Sequence, residues 1–202
     1  MTFWFTSDTH FSHENILNLG DGRPFKDIGQ HNEVLLANIN AVVHSDDTLI
    51  HLGDVALGPF NPEPVGLSYV KRIICRTVLI PGNHDRISSV CKPAYRAKWL
   101  PVYEDAFDVI WDEVSSFALN DIHFNLSHYP YNGDSQKDIE RHADIRAVDY
   151  GTPIVHGHNH CGPEIRESFS AKGTPQFAVG VDANNWAPVH EDVIAEWLER
   201  VS

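Results

Sequence analysis

The stretch Asn32-Glu33-Val34-Leu35-Leu36-Ala37-Asn38-Ile39-Asn40-Ala41-Val42-Val43-His44-Ser45-Asp46-Asp47-Thr48-Leu49-Ile50-His51-Leu52-Gly53-Asp54 changes its period partway along. In its first half Leu35, Leu36, Ile39, Val42 and Val43 recur at the spacing of one helical face. His44-Ser45-Asp46-Asp47 then breaks the pattern, and Thr48-Leu49-Ile50-His51-Leu52 is a short apolar run ending on Gly53-Asp54. The reading is a helix feeding a buried strand whose far end is polar. Upstream, residues 2–6 form a short aromatic strand running into Ser7-Asp8-Thr9-His10. Downstream, Pro59, Pro62 and Pro64 with Gly58 and Gly66 mark a loop, residues 65–74 a helix and residues 76–80 a third strand. The order so far is β-α-β-α-β.

Past a mixed stretch around residues 93–101, the segments 107–111, 114–119 and 122–127 read as closely spaced strands, as in hairpins. Residues 131–135 read as a loop, 138–148 as a weak helix, and 153–155 and 176–181 as strands. Val189, Val193, Trp197 and Val201, with Ile194 and Leu198, stripe one face of a C-terminal helix. Helix-connected strands followed by hairpin-like ones predict an α/β fold of two packed mixed sheets flanked by helices. The 202 residues fit one domain, 1–202.

Composition narrows the function. With 15 Lys+Arg against 28 Asp+Glu the chain carries a formal charge of −13, which repels a phosphate backbone and disfavours bulk nucleic-acid binding. A hydrophobic share of 42% excludes global disorder. Cys75, Cys91 and Cys161 are too few for a disulfide framework, which suits a reducing, cytoplasmic setting. No apolar run approaches the roughly 18 residues of a membrane span, and Met1-Thr2-Phe3-Trp4 is no signal peptide, so a soluble protein without membrane contact is expected.

Five polar clusters sit where predicted strands end: Asp8-Thr9-His10, Gly53-Asp54, Gly82-Asn83-His84-Asp85, Ser127-His128 and Gly157-His158-Asn159-His160. Ligands gather at the carboxyl ends of strands in open α/β sheets, so these clusters are placed to converge on one crevice. Carboxylate, imidazole and amide donors suit manganese, iron or zinc better than calcium. If these segments are extended, residues two apart face one side, aiming Asp8 with His10 and His158 with His160 as pairs. Seven potential ligands exceed what one four-coordinate ion accepts, and two ions sharing a carboxylate, with Asp54 as the natural bridge, resolve the count.

The series Asp8-x-His10, Gly53-Asp54, Gly82-Asn83-His84-Asp85, His128 and Gly157-His158-x-His160, in that order, resembles the calcineurin-like metallophosphoesterase superfamily, in its small bacterial and phage-type members. Phe11-Ser12-His13-Glu14-Asn15-Ile16 and Val179-Gly180-Val181-Asp182-Ala183-Asn184-Asn185-Trp186 extend the likeness over nearly the whole chain. The resemblance implies a four-layer αββα sandwich. It implies a first metal held by Asp8, His10, Asp54 and His160, and a second by Asp54, Asn83, His128 and His158. His84 would stand at the leaving group as the catalytic residue. The implied cofactors are two divalent ions, manganese first, with iron, zinc, nickel or magnesium as alternatives. The implied activity is hydrolysis of a small phosphodiester or phosphomonoester, with a nucleotide or cyclic nucleotide the leading class. Two dications would lower the pKa of a shared water from 15.7 towards roughly 7 and so supply hydroxide at neutral pH.

One departure stands out. Many protein phosphatases of the superfamily carry an Asp three residues after the Gly-Asp aspartate, followed by an Arg, where this chain has Leu57 and Gly58-Pro59. A phosphodiesterase is therefore favoured over a protein phosphatase. What orients His84 is left open, Asp85 or a backbone carbonyl being the alternatives.

Taken singly, each residue has an ordinary explanation; the order and spacing of all five clusters carry the reading. His13 and Asn15 are read evenly as substrate contacts or as caps of the helix beginning there. Asn184, in the turn before Trp186, is a candidate for the substrate border or an ordinary edge residue. Asp85 and His156 are expected to support ligands rather than ligate. His51 is read as a buried strand residue, and His31, His44, His123, His142 and His190 as surface or packing residues. Cys161 is read as packing, and Lys71, Arg72 and Arg76 as a solvated helix end. Competing functions are a catalytically silent scaffold of the same fold, against which the intact ligand set argues, and a nuclease, against which the charge argues.

Overall fold

The computed structural model describes residues 1–19, 22–57, 65–136 and 140–202. The first sheet is built from β1 (Phe3–Thr6), β2 (Thr48–His51), β3 (Arg76–Leu79), β4 (Val109–Ile110) and β10 (Val189–His190), in the order β10-β1-β2-β3-β4. The second contains β5 (Val114–Leu119), β6 (Ile122–Ser127), β7 (Ile154–His156), β8 (Glu167–Phe169) and β9 (Pro175–Ala178), in the order β5-β6-β7-β9-β8. Both are mixed: β1, β2, β3 and β4 run parallel with β10 antiparallel, and β6, β7 and β9 run parallel between antiparallel β5 and β8.

Alternation along the strands fixes the layers, because successive side chains point to opposite faces. Phe5, Ile50, Val78 and Ile80 meet Phe124, Leu126, Val155 and Phe177 in one core between the sheets. Leu49 and Leu79, one residue out of phase, join Leu35, Ile39, Val70, Trp99 and Tyr103 in a second core beneath α1 (Ile28–Val42), α2 (Leu67–Val70) and α3 (Pro93–Glu104). Ile194, Trp197 and Leu198 of α4 (Glu191–Val201) enter the inter-sheet core beside β10 and β1.

Several elements differ from the sequence expectation. The helix read from residue 32 begins at Ile28, where the Asp27 carboxylate accepts the Gln30 N–H at 2.8 Å as an N-cap; Gly29, Gln30 and His31 hide that first turn from an apolar pattern. The segment 93–101, read as mixed, is helical to Glu104, started by Pro93 in the first turn and burying only Trp99 and Tyr103. The strand around 107–111 does not join a hairpin but adds parallel to β3 at the edge of the first sheet. Val189 belongs to a strand rather than to the C-terminal helix, and β8 was not anticipated. Residues 140–148 of the expected weak helix are turns, because Arg146 binds the carbonyls of Pro130, Gly133 and Arg141 and gathers the segment about its guanidinium. The preceding residues 131–132 lie against the second sheet: Asn125 Nδ2 donates to Tyr131 Oη, and Gln176 exchanges bonds with the backbone of Asn132. The proline-rich loop at 58–64 and residues 138–139 lie outside the described residues.

Candidate metal centre

The polar clusters leave the strands side by side. Beyond β1, the N–H groups of Asp8 and His10 donate to the carbonyls of Gly53 and Asp54 at 3.0 Å, so the first two loops are stitched together. Ser7 pairs with Gly180, just past β9, so the two sheets meet at this end, and Gly157 N–H donates to His128 O at 2.9 Å, joining the loops after β7 and β6. The pairs Asp8/His10 and His158/His160 do not converge as extended segments. Their φ values are 57°, 46°, 71° and 47°, and Asp54 has 55°. Left-handed residues alternate with ordinary ones, and each such non-glycine residue costs roughly 1–2 kcal/mol. Strain of this kind collected on five candidate ligands marks a site the rest of the fold holds in place.

The carboxylates of Asp8 and Asp54 are fully buried. Asp54 Oδ2 lies 3.5 Å from His128 Nε2, 3.6 Å from His10 Nε2 and 3.9 Å from His84 Nε2. These separations are too long for hydrogen bonds, and they are those of donors facing a common centre. His160 Nε2 is 3.7 Å from Asp8 Oδ1, and Asn83 Oδ1 is 3.2 Å from His128 Nε2. Two donor groups result, Asp8-His10-His160 and Asp8-Asp54-His128. His158 stands beside them, its ring 5.1 Å from that of His128 and its N–H bound to the Asp8 carboxylate, with a ring nitrogen in neither group.

Each of these imidazoles is held by its outer nitrogen. His128 Nδ1 bonds the Leu52 carbonyl at 2.7 Å, His10 Nδ1 meets His13 Nδ1 at 3.2 Å, His160 Nδ1 bonds Asp182 Oδ2 at 2.9 Å, and His158 Nε2 bonds Asp134 Oδ2 at 3.0 Å. Such outer partners fix ring orientation and tautomer in metal sites. Behind Asp54, the Asp85 carboxylate accepts the N–H groups of Asp54, Gly82 and Val55 and the Tyr103 hydroxyl. Asp85 thus holds the Asp54 loop rather than the His84 ring. Gly82 leaves no room for a side chain: a Cβ there would stand 2.6 Å from the Asp54 amide nitrogen and 2.8 Å from His128 Nδ1.

Charge follows from this packing. Burial opposes ionisation of Asp54, yet the surrounding His128, His10 and His84 hold its carboxyl well below the usual range. Burial likewise opposes protonation of His128, but Asp54 and Asp8 push it up to about 9. The two buried carboxylates draw positive charge into the space between them.

A cavity of about 610 Å³ opens over the cluster. His10, His13, Asp54, Asn83, His84, His158 and His160 line it, and Leu57 stands in its wall. Asn15 and Asn184 do not line it. Asn15 is exposed on a short 3-10 turn whose N-cap is His13, and Asn184 Nδ2 donates to the Ala178 and Gly180 carbonyls, closing its own turn. His156 is buried, one nitrogen on the Gly157 carbonyl and Nε2 without a partner among the described residues. His51 is buried in β2 with Nε2 on Thr9 Oγ1. Burial pushes the Cys161 thiol up to about 12, and it packs with Ala178 and Ala183 as a small apolar group.

Sequence reasoning missed the groups behind the imidazoles. Asp182 holds His160 and is itself clamped by Arg23 through Nε and Nη2, at 2.9 and 2.8 Å. Asp134 holds His158 and is bound by Arg141 and Arg146. Nothing in their local sequence marks them, since the imidazoles they hold lie 22 and 24 residues away and the arginines that bind them 7 to 159. The one available signal was Asp182 within the quoted turn 181–186.

The donor set fits divalent ions. His10 Nε2 is buried without a hydrogen-bond partner among the described residues and lies 3.6 Å from Asp54 Oδ2, and carboxylate, imidazole and amide oxygen are ligands of manganese, iron and zinc. Relatives agree. The profile of the calcineurin-like phosphoesterases matches residues 1–200. The chain is 31% identical over 188 residues to the Gene 66 protein of Mycobacterium phage L5, covering 89% of this chain and 86% of that one. It is 27% identical to the uncharacterized protein MJ1445 of Methanocaldococcus jannaschii, with 96% and 89% covered. A solved structure, the protein of unknown function AQ665 from Aquifex aeolicus, superposes with a TM-score of 0.71 at 28% identity, over 97% of this chain and 98% of that one. A buried carboxylate ringed by imidazoles at the strand ends of a two-sheet sandwich, together with a family match over almost every residue, places this chain in the calcineurin-like phosphoesterase family.

Proposed function

We propose that the protein is a dinuclear, divalent-metal-dependent phosphoesterase acting on a small phosphodiester or phosphomonoester, with a nucleotide or cyclic nucleotide as the substrate class. Asp8, His10, Asp54 and His160 would hold the first ion and Asp54, Asn83, His128 and His158 the second, manganese being the leading candidate for both. The observation that carries this reading is Asp54 Oδ2, with three imidazole Nε2 atoms 3.5 to 3.9 Å away and no hydrogen bond to any of them. Bound there, two dications would supply Lewis acidity at the phosphoryl oxygens and an acidified water as nucleophile.

The chain's own groups do the rest. His84 presents Nε2 to the cavity with its side chain 37% exposed, and its role is to give a proton to the leaving alkoxide oxygen. Its backbone N–H, donating to Asp54 Oδ1 at 2.8 Å, keeps the acid and the shared carboxylate in one register. Leu57, Ile16, Leu19 and Trp186 add apolar surface to the cavity lining, suited to the uncharged part of a small ester. Leu57 stands in the sequence position where many protein phosphatases carry an Asp, which supports a diester or small monoester over a phosphoprotein. The whole chain acts as one domain in this reading, since both sheets contribute to the cluster.

The test is hydrolysis of bis-p-nitrophenyl phosphate and p-nitrophenyl phosphate by metal-stripped protein reloaded with Mn²⁺, beside Asp54→Asn and His84→Ala. Metal-dependent diester turnover that collapses in Asp54→Asn and falls about 10²- to 10⁴-fold in His84→Ala is expected. Fully loaded wild-type protein that turns over neither ester would overturn the proposal.

A further inference from the structure

The cavity is lined by two cations among the described residues, Arg23 and Arg141, in a chain whose net charge is −13. A guanidinium carries five N–H donors, so its free capacity can be counted. Arg23 has none to spare: Nε and Nη2 bind Asp182, Nη2 also binds the Asp8 carbonyl, and Nη1 meets His31 Nε2 at 2.8 Å and the Thr9 carbonyl at 3.3 Å. Arg141 is different. Its Nε and Nη2 bind Asp134 Oδ1 at 2.9 and 2.6 Å and Nη2 binds Ser135 Oγ at 2.7 Å, while Nη1 has no hydrogen bond among the described residues. The side chain is 29% exposed.

Charge points the same way. The buried Asp134 carboxylate is bonded by two arginines, Arg141 and Arg146, and by the His158 ring. Arg146 turns its remaining nitrogens onto the Pro130, Gly133 and Arg141 carbonyls. The two guanidiniums therefore carry one positive charge beyond the carboxylate they share. The neighbouring Glu140 is exposed on the outside, bonded to Asn132 and Gly133. The surplus positive charge sits on a cavity wall with its guanidinium already oriented, so little freedom is lost on binding.

From this donor count we propose that Arg141 grips a second phosphate of the substrate, distinct from the one hydrolysed, through Nη1, and so selects substrates that carry two phosphate groups. This inference rests on the phosphoesterase reading above. A carboxylate prefers two parallel N–H groups from one guanidinium edge, and here the Nε and Nη2 edge is occupied by Asp134. That single nitrogen, Nη1, suits one oxygen of a tetrahedral group, and Gln136 lines the same cavity.

The experiment compares AMP with adenosine 3′,5′-bisphosphate as ligands of the Mn²⁺-loaded protein, by calorimetry and as inhibitors of bis-p-nitrophenyl phosphate turnover. Wild-type protein should bind the bisphosphate about tenfold or more tightly than AMP, the size of one charged hydrogen bond. Arg141→Gln should bring the two within about threefold, Arg141→Lys should fall between, and the remote surface variant Arg200→Gln should keep the wild-type ratio. Metal content and melting temperature, measured on each variant, separate a lost contact from a lost fold. A wild-type ratio near one, or a ratio that survives in Arg141→Gln, would overturn the assignment. Failure of wild-type protein to hydrolyse any ester would count against the parent reading, and the calorimetric ratio would still decide the role of Arg141.

Discussion

Asp182 offers the sharpest separation of stability from metal binding. Its two oxygens accept from Arg23 Nε at 2.9 Å, Arg23 Nη2 at 2.8 Å and His160 Nδ1 at 2.9 Å, with the carboxylate only 16% exposed and the Arg23 side chain 2% exposed. Asp182→Ala strands a buried guanidinium, and removing one partner of a buried pair costs about 3–5 kcal/mol. The partial exposure of Asp182, and the contacts Arg23 keeps with the Asp8 and Thr9 carbonyls, favour the lower end, about 3 kcal/mol. The second loss is independent: without its acceptor His160 has no fixed tautomer, and removing such an outer partner weakens metal binding about 10- to 100-fold. Urea unfolding of the metal-free protein reads the first quantity and Mn²⁺ calorimetry the second. Arg23→Met with Asp182→Ala should recover much of the stability, since no charge is then left unpaired, but none of the metal affinity. If Asp182→Ala costs less than about 1 kcal/mol and binds Mn²⁺ as wild type does, the reasoning about this chain of contacts is wrong.

Other consequences follow from the same packing. Gly82→Ala should lower the melting temperature and abolish diester turnover together, because the added methyl meets the Asp54 backbone nitrogen and the buried Asp54 and His128 side chains, both held by hydrogen bonds, and overpacking of this kind costs about 1–3 kcal/mol; unchanged turnover would contradict it. Asp47, whose carboxylate accepts N–H groups from His44, Trp4 and Thr2, is held below the ordinary carboxylate range chiefly by the His44 bond. Its stabilisation is present above the unfolded pKa of about 3.9 and is lost as pH falls through the folded value. Asp47→Asn should therefore lower stability at pH 7 and flatten the acid limb of the stability curve, read by urea midpoints between pH 7 and pH 2; an acid limb as steep as wild type would contradict it. Trp197→Ala, removing a fully buried ring packed 5.3 Å from Phe177, should cost about 3–5 kcal/mol in urea unfolding while leaving metal stoichiometry intact.

The sequence carried the parts of this protein that repeat a local pattern. The period change between Leu35 and Leu52, the strand-end clusters and the stripe from Ile194 to Leu198 were legible because helix faces, buried strands and chemical side chains show within a short window. Helix α3 was not, since Pro93 and Pro101 read as breakers and only Trp99 and Tyr103 face the core. The turns of 140–148 were not, because they are organised by one guanidinium binding carbonyls up to 16 residues away. The site divides the same way. Asp8, His10, Asp54 and His128 are visible in their clusters, whereas the convergence of Asp8 with His10 depends on left-handed backbone that an extended-strand argument does not supply. Asn15 and Asn184 read evenly in sequence as substrate contacts or as ordinary cap and edge residues; the chain turns Asn15 outward and spends Asn184 Nδ2 on the carbonyls of its own turn. Asp134 and Asp182 act through His158 and His160 from remote segments, and only tertiary structure shows them.

The account rests on Asp54 as the carboxylate shared by two ions. A crystal structure of Mn²⁺-soaked protein, with anomalous scattering recorded at the manganese edge, tests that most directly. Two peaks about 3.5–4 Å apart, both in contact with Asp54 and lost together in Asp54→Asn, are predicted. A single peak held by Asp8, His10 and His160 alone, or none in fully soaked crystals, would contradict it.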